Sequence, residues 1–123
     1  MSEAARLACS YVEGLDKSAF LADRRTQQAV IMNLIVIGEA ATRLLNSDAQ
    51  FLDAHPSVPW KQMKGMRNRI AHGYFEINVE IVWETVKLAL PELIALLPPI
   101  LAAARASSEG TPANLRDPSD IKS

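Results

Sequence analysis

Apolar residues recur along this chain at helical spacing, and no run alternates long enough to make a strand. The first helix is expected over residues 3–15, with Gly14 at its fraying end. The second is expected over 23–46, opened by Asp23 as N-cap and closed near Asn46 and Ser47. On a helical wheel Val30, Leu34, Ile37, Ala41 and Leu44 make one stripe. Ile31 and Ile35 flank it, and Met32 and Val36 lie nearly opposite. A helix apolar on more than one side is central, or it faces a partner subunit as well as its own core. The third is expected over 59–72, where Pro59 suits a first turn and Gly73 the C′ position. The fourth spans 78–104, capped by Asn78, with Val79, Val82, Trp83, Val86, Leu90, Leu93, Ile94 and Leu97 as its stripe. Pro91 lacks a backbone donor and should kink it near Lys87. The pattern predicts an all-α fold, an antiparallel four-helix bundle. It occupies residues 1–106, followed by a polar, flexible tail over 107–123.

Neither apolar run reads as a membrane span. Ala29 to Ile37 is short and interrupted by Asn33, and Leu88 to Ala104 carries Glu92 and three prolines. The first residues lack the order of a signal peptide. Thirteen Lys and Arg against fourteen Asp and Glu exclude a strongly basic polyanion binder. Cys9 is the only cysteine, which excludes an internal disulfide, and with two histidines it excludes a four-ligand structural zinc site. These features suit a cytoplasmic setting, and no metal site is expected.

Charge changes the picture on the third helix. No acidic residue falls between Asp53 and Glu76, while Lys61, Lys64, Arg67, Arg69 and both histidines do. Such a stretch is a candidate anion site, or a solvated face whose acids sit on neighbouring helices. Met63, Met66 and Ile70 share an inward arc. Lys61, Asn68 and His72 share another stripe, with Gly65 among them, where a missing side chain admits another backbone or a ligand. Arg67 stands at the edge of the inward arc and needs a carboxylate or a phosphate. Glu39, set in the apolar second helix, is the obvious internal partner. His72 follows Arg67 by five positions, about 140° around a regular helix. The two meet on one ligand if the last turn unwinds, or if two copies of the helix face each other. The helix C-terminus favours a cation at His72, which suits a general acid. The plain alternative is a histidine that caps carbonyls. His55, between Ala54 and Pro56, reads as an ordinary loop residue.

The run RNRIAHGY, Arg67 to Tyr74, resembles the Arg, four residues, His, any residue, Tyr signature of HepT-like HEPN proteins. TQQAV at Thr26 to Val30, IGEA at Ile37 to Ala40, Val58-Pro59-Trp60 and Trp83 are similar to the same family, in the same order, over roughly Arg6 to Leu97. The resemblance implies a HEPN-type bundle that acts as a metal-independent endoribonuclease, the toxin of a type VII-like toxin–antitoxin pair. By the same resemblance Arg67 and His72 are the catalytic pair in the cleft of a homodimer, and Asn68 supports the site. Lys61 and Lys64 would guide the RNA backbone. The implied partner is a small MNT-type nucleotidyltransferase antitoxin, which adenylylates Tyr74 and silences the nuclease. No cofactor is implied. Two other readings use the same residues: a non-catalytic HEPN module that docks a nucleotidyltransferase or binds a nucleotide, and a purely structural homodimer.

Overall fold

The computed structural model describes residues 1–73 and 77–108, with side chains as far as Ala104. In chain order the elements are α1 (Ser2–Tyr11), α2 (Lys17–Leu21), α3 (Arg24–Ser47), α4 (Ala49–Asp53), α5 (Trp60–His72), α6 (Val79–Glu84) and α7 (Leu90–Ser108). A π-helical segment, Thr85–Ala89, joins α6 to α7. There is no strand among the described residues. The fold is an all-α HEPN-type bundle, in which α1, α3, α5 and the α6–α7 unit are the four expected helices.

Two short helices, α2 and α4, lie where linkers were expected. Each delivers one large side chain to the core. Asp16 caps α2 by accepting from the Ala19 N–H at 2.8 Å, and Phe20 becomes fully buried, its ring 5.2 Å from that of Trp83. In α4, Leu52 is buried. Beyond it the Trp60 indole N–H donates to the His55 carbonyl at 3.1 Å, which ties the loop to the start of α5. His55 is thus a loop residue, stacked obliquely on Phe51.

α1 is shorter than expected, ending at Tyr11, and Gly14 takes the positive φ of 76° in the turn that follows. Its inner face is Ala4, Ala5 and Ala8, small enough for α1 to lie close to both α3 and α7. Asp23 caps α3 as expected, accepting from the Thr26 N–H at 3.2 Å and the Thr26 hydroxyl at 2.6 Å. These bonds, the hydroxyl's foremost, hold the Asp23 carboxyl below its ordinary range. Asn78 caps α6 by accepting from the Glu80 N–H at 3.0 Å.

The stripe of α3 is buried at Val30, Ile31, Leu34, Ile37 and Ala41. It shares one hydrophobic core with Val82, Val86, Leu90, Leu93 and Leu97 from the last helix. The disturbance expected near Lys87 takes the form of the π segment. Pro91 has no N–H for the Lys87 carbonyl, and the Leu90 N–H reaches back to Thr85 O. By length and composition α3 and the 79–104 helix could each cross a membrane; here both supply the core of the bundle. Ser107 and Ser108, placed in the tail by the sequence, end α7. Residues 109–123 lie outside the described residues.

Candidate active site

The polar site is built where α5 crosses α3, and the crossing depends on Gly38. A Cβ on Gly38 would stand 2.2 Å from Arg67 Cβ and 3.0 Å from the Met63 carbonyl oxygen. Only glycine lets the helices approach this closely. The neighbouring Glu39 then reaches Arg67: its Oε1 accepts from Nε of the guanidinium and forms an ion pair with Nη2. On the other side Arg67 Nη1 donates to Asn68 Oδ1 at 2.7 Å. The pair sits at the rim of the bundle, with the side chains 31% and 40% exposed for Arg67 and Glu39. A guanidinium carries five N–H donors. Among the described residues Nε and one Nη1 N–H are hydrogen-bonded, which leaves N–H groups on both terminal nitrogens to meet an incoming anion.

His72 ends α5 and is exposed. Its side chain makes no hydrogen bond to another described residue. The Gly73 N–H donates to the Arg69 carbonyl at 2.9 Å, so the last turn is wound, and Gly73 has φ −144°, outside the left-handed region expected of a C′ glycine. Winding to the end keeps Arg67 and His72 about 140° apart on one helix. A single chain therefore brings Glu39, Arg67 and Asn68 together and leaves His72 apart from them. Lys61 is exposed and Lys64 half-buried, on the arc that also carries Asn68 and His72. Gly65, on that arc, has nothing within 4 Å of where its Cβ would be. Tyr74 lies outside the described residues.

Two further features bear on the site. Met32 and Val36 are 60% and 45% exposed. They lie on the side of α3 that carries Glu39, at i, i+4 and i+7. They form an apolar face next to the ion pair. Cys9 is elsewhere, against the last helix. Its thiol faces the Val86 carbonyl at 3.7 Å, and burial pushes its pKa up, away from the thiolate form. No group of three or more His, Cys, Asp or Glu side chains among the described residues could hold a metal ion.

The family model for HepT-like ribonucleases matches residues 1–100. The chain belongs to the HepT-like ribonuclease family. It is 38% identical over 93 residues to the "Probable ribonuclease HepT" of Thermococcus cleftensis, which covers 76% of this chain and 82% of that protein. It is 46% identical over 72 residues to the "Putative RNase MJ0127" of Methanocaldococcus jannaschii, covering 58% of this chain and 57% of that protein. A third relative, the "Putative RNase TTE0752" of Caldanaerobacter subterraneus, is 38% identical over 82 residues, 67% of this chain and 70% of that protein. No solved structure matches the chain. HepT-like membership makes ribonuclease the activity of this fold. Sequence reasoning had Glu39 only as a stabilising partner of Arg67. What it missed is that Glu39 and Asn68 grip the guanidinium from two sides and leave N–H groups on both terminal nitrogens without a described partner.

Proposed function

We propose that this HepT-like chain is the RNA-cleaving toxin of a toxin–antitoxin pair, a metal-independent endoribonuclease using Arg67 and His72 in the cleft of a cytoplasmic homodimer. The observation that carries the reading is the Arg67 guanidinium. It is held by Glu39 and Asn68 with donors on both terminal nitrogens free of described partners, on the same helix as an exposed imidazole. RNA supplies its own nucleophile. His72 takes the proton from the 2′-OH, the 2′ oxygen attacks phosphorus, and as the P–O5′ bond breaks the imidazolium so formed gives its proton to the departing 5′ oxygen. The products are a 2′,3′-cyclic phosphate and a 5′-hydroxyl. Proton transfer by a placed imidazole is worth about 10²–10⁴-fold. Arg67 binds the phosphate through its open N–H groups and stabilises charge that develops on it. Lys61 and Lys64 draw the strand towards α5.

The dimer supplies what one chain lacks. With α5 wound to its end, His72 of one copy reaches the Arg67 of the other only across an interface. Met32 and Val36 offer an apolar face for that interface beside Glu39. A nucleotidyltransferase antitoxin that adenylylates Tyr74, two residues beyond His72, would place a bulky anion at the cleft and repel RNA.

The test is incubation of purified protein with RNA in the presence of a chelator, beside His72→Ala and Arg67→Ala. Cleavage that yields cyclic phosphate ends and disappears in both variants is the expected result. Mass spectrometry after treatment with the cognate transferase and ATP should find AMP on Tyr74. The Glu39 pairing favours a second reading, in which a satisfied Arg67 serves only a module that docks the transferase. Intact RNA with the unmodified wild-type protein would establish that reading instead.

A further inference from the structure

The polar arc of α5 has an arginine at each edge, and only one has been given a task. Going round the helix, Arg67 is followed by Asn68, His72 and then Arg69. Arg69 and His72 are neighbours at i, i+3. Beyond Arg69 the surface opens into a cavity of about 290 Å³ between α5 and the start of α6. Its walls are Met66 and Ile70 on one side and Ile81 on the other, with Arg69, Gly73 and Asn78 also lining it. The cavity begins one residue from the imidazole.

The geometry points to this cavity as a nucleobase pocket, which takes the base of a nucleotide next to the phosphate held at His72. The inference rests on the ribonuclease reading above and goes beyond it by assigning a binding subsite. Three observations support it. The size is below that of pockets for drug-sized ligands, roughly 300–1,000 Å³, and suits one flat ring system. The walls are those of methionine and branched aliphatic residues, with Arg69 among them. Single-stranded RNA is recognised by splayed bases that stack on apolar side chains and on guanidinium planes. Asn78, also a lining residue, uses its Oδ1 to accept from the Glu80 N–H, which leaves its Nδ2 as the donor available to a ring nitrogen or carbonyl on a base edge. Charge agrees with this occupant, because α5 carries no acid to repel the attached phosphate. Gly65 leaves the path across the helix clear.

Binding can be read without cleavage, using a trinucleotide whose 2′-deoxy riboses cannot be cut. The methyl signals of Met66, Ile70 and Ile81 in the full chain are followed by NMR during titration. Saturable shifts of these methyls are expected, with an affinity at least tenfold better than that of a 5′-mononucleotide. Ile81→Trp, which fills the cavity from an exposed position, should abolish the shifts and keep the helical circular dichroism of the wild type. A trinucleotide abasic at one position should lose them as well. Methyls that do not move, or that move equally with the abasic strand, would overturn the pocket. Equal affinity for the mononucleotide would also overturn it, by making this a free-nucleotide site. Cleavage of ordinary RNA by the same samples reports separately on the ribonuclease reading, so a catalytically silent protein that still binds the base would count against that reading alone.

Discussion

The middle and the end of α5 are built on different terms. At Arg67 the helix is pressed against α3 through Gly38, and the guanidinium is gripped by Glu39 and Asn68. One turn later His72 stands in solvent at a wound helix end. The contrast shows what one chain can and cannot organise in advance. Anion binding needs a charged group held still, and packing against α3 provides that. Proton transfer needs an imidazole aimed at a particular oxygen, and no described residue of the isolated chain aims it.

Three experiments would break or sharpen the contrast. The largest effect is expected on rate. His72→Ala should slow RNA cleavage by about 10²–10⁴-fold and leave thermal stability within roughly 0.5 kcal/mol of wild type, as befits an exposed residue. Arg67→Ala should abolish cleavage as well. It should also lower stability by about 1 kcal/mol, through its stem packed on Gly38 and a rim ion pair of modest worth. Equal stability losses in the two variants, measured by chemical denaturation, would erase the distinction between the two ends.

The next effect is steric and compares two glycines of the same region. Gly38→Ala forces a Cβ into Arg67 and the α5 backbone, and a cost of about 1–3 kcal/mol is expected from overpacking, with cleavage falling because Arg67 is displaced. Gly65→Ala meets open space and should gain up to about 1 kcal/mol in helix stability. Melting temperatures that move the same way in both would refute the close crossing.

The smallest effect is a pH dependence away from the site. The Asp23 carboxyl is held below its ordinary value of 3.8 by the Thr26 hydroxyl and N–H. A depressed folded-state pKa adds stability above the unfolded value and loses it as pH falls through the folded one. Asp23→Asn keeps a capping acceptor and does not titrate. Its stability should therefore fall less steeply than that of wild type between about pH 5 and pH 2 in an acid denaturation series. Parallel curves would remove the Asp23 contribution.

Much of this architecture is legible in the residue pattern. The four long helices follow from period, and the Asp23 and Asn78 caps from residue type. The Arg67–Glu39 pair follows from an acid set in an apolar helix opposite a basic one. The short helices α2 and α4 are not legible, because five residues hold too little period to separate them from a loop. They exist because Phe20 and Leu52 have a core to enter. The depth of the α3–α5 crossing was hidden for a related reason. A glycine in IGEA fits many uses, and only the Arg67 Cβ standing against it shows which one applies. The end of α1 was misjudged because Val12 is buried and continues the stripe beyond the last helical turn.

The π segment has a consequence for the spacing of the last helix. Val82, Val86 and Leu90 are each four residues apart, a step too long for 3.6-residue winding to keep them in line. The widened turn absorbs the surplus, so that Leu90 starts a second stretch, Leu93, Leu97 and Ile100, already in phase with the first. Thr85–Ala89 therefore works as a vernier between two rows of core residues. Inserting one more residue there would swing everything downstream by about 100° and turn the far row out into water.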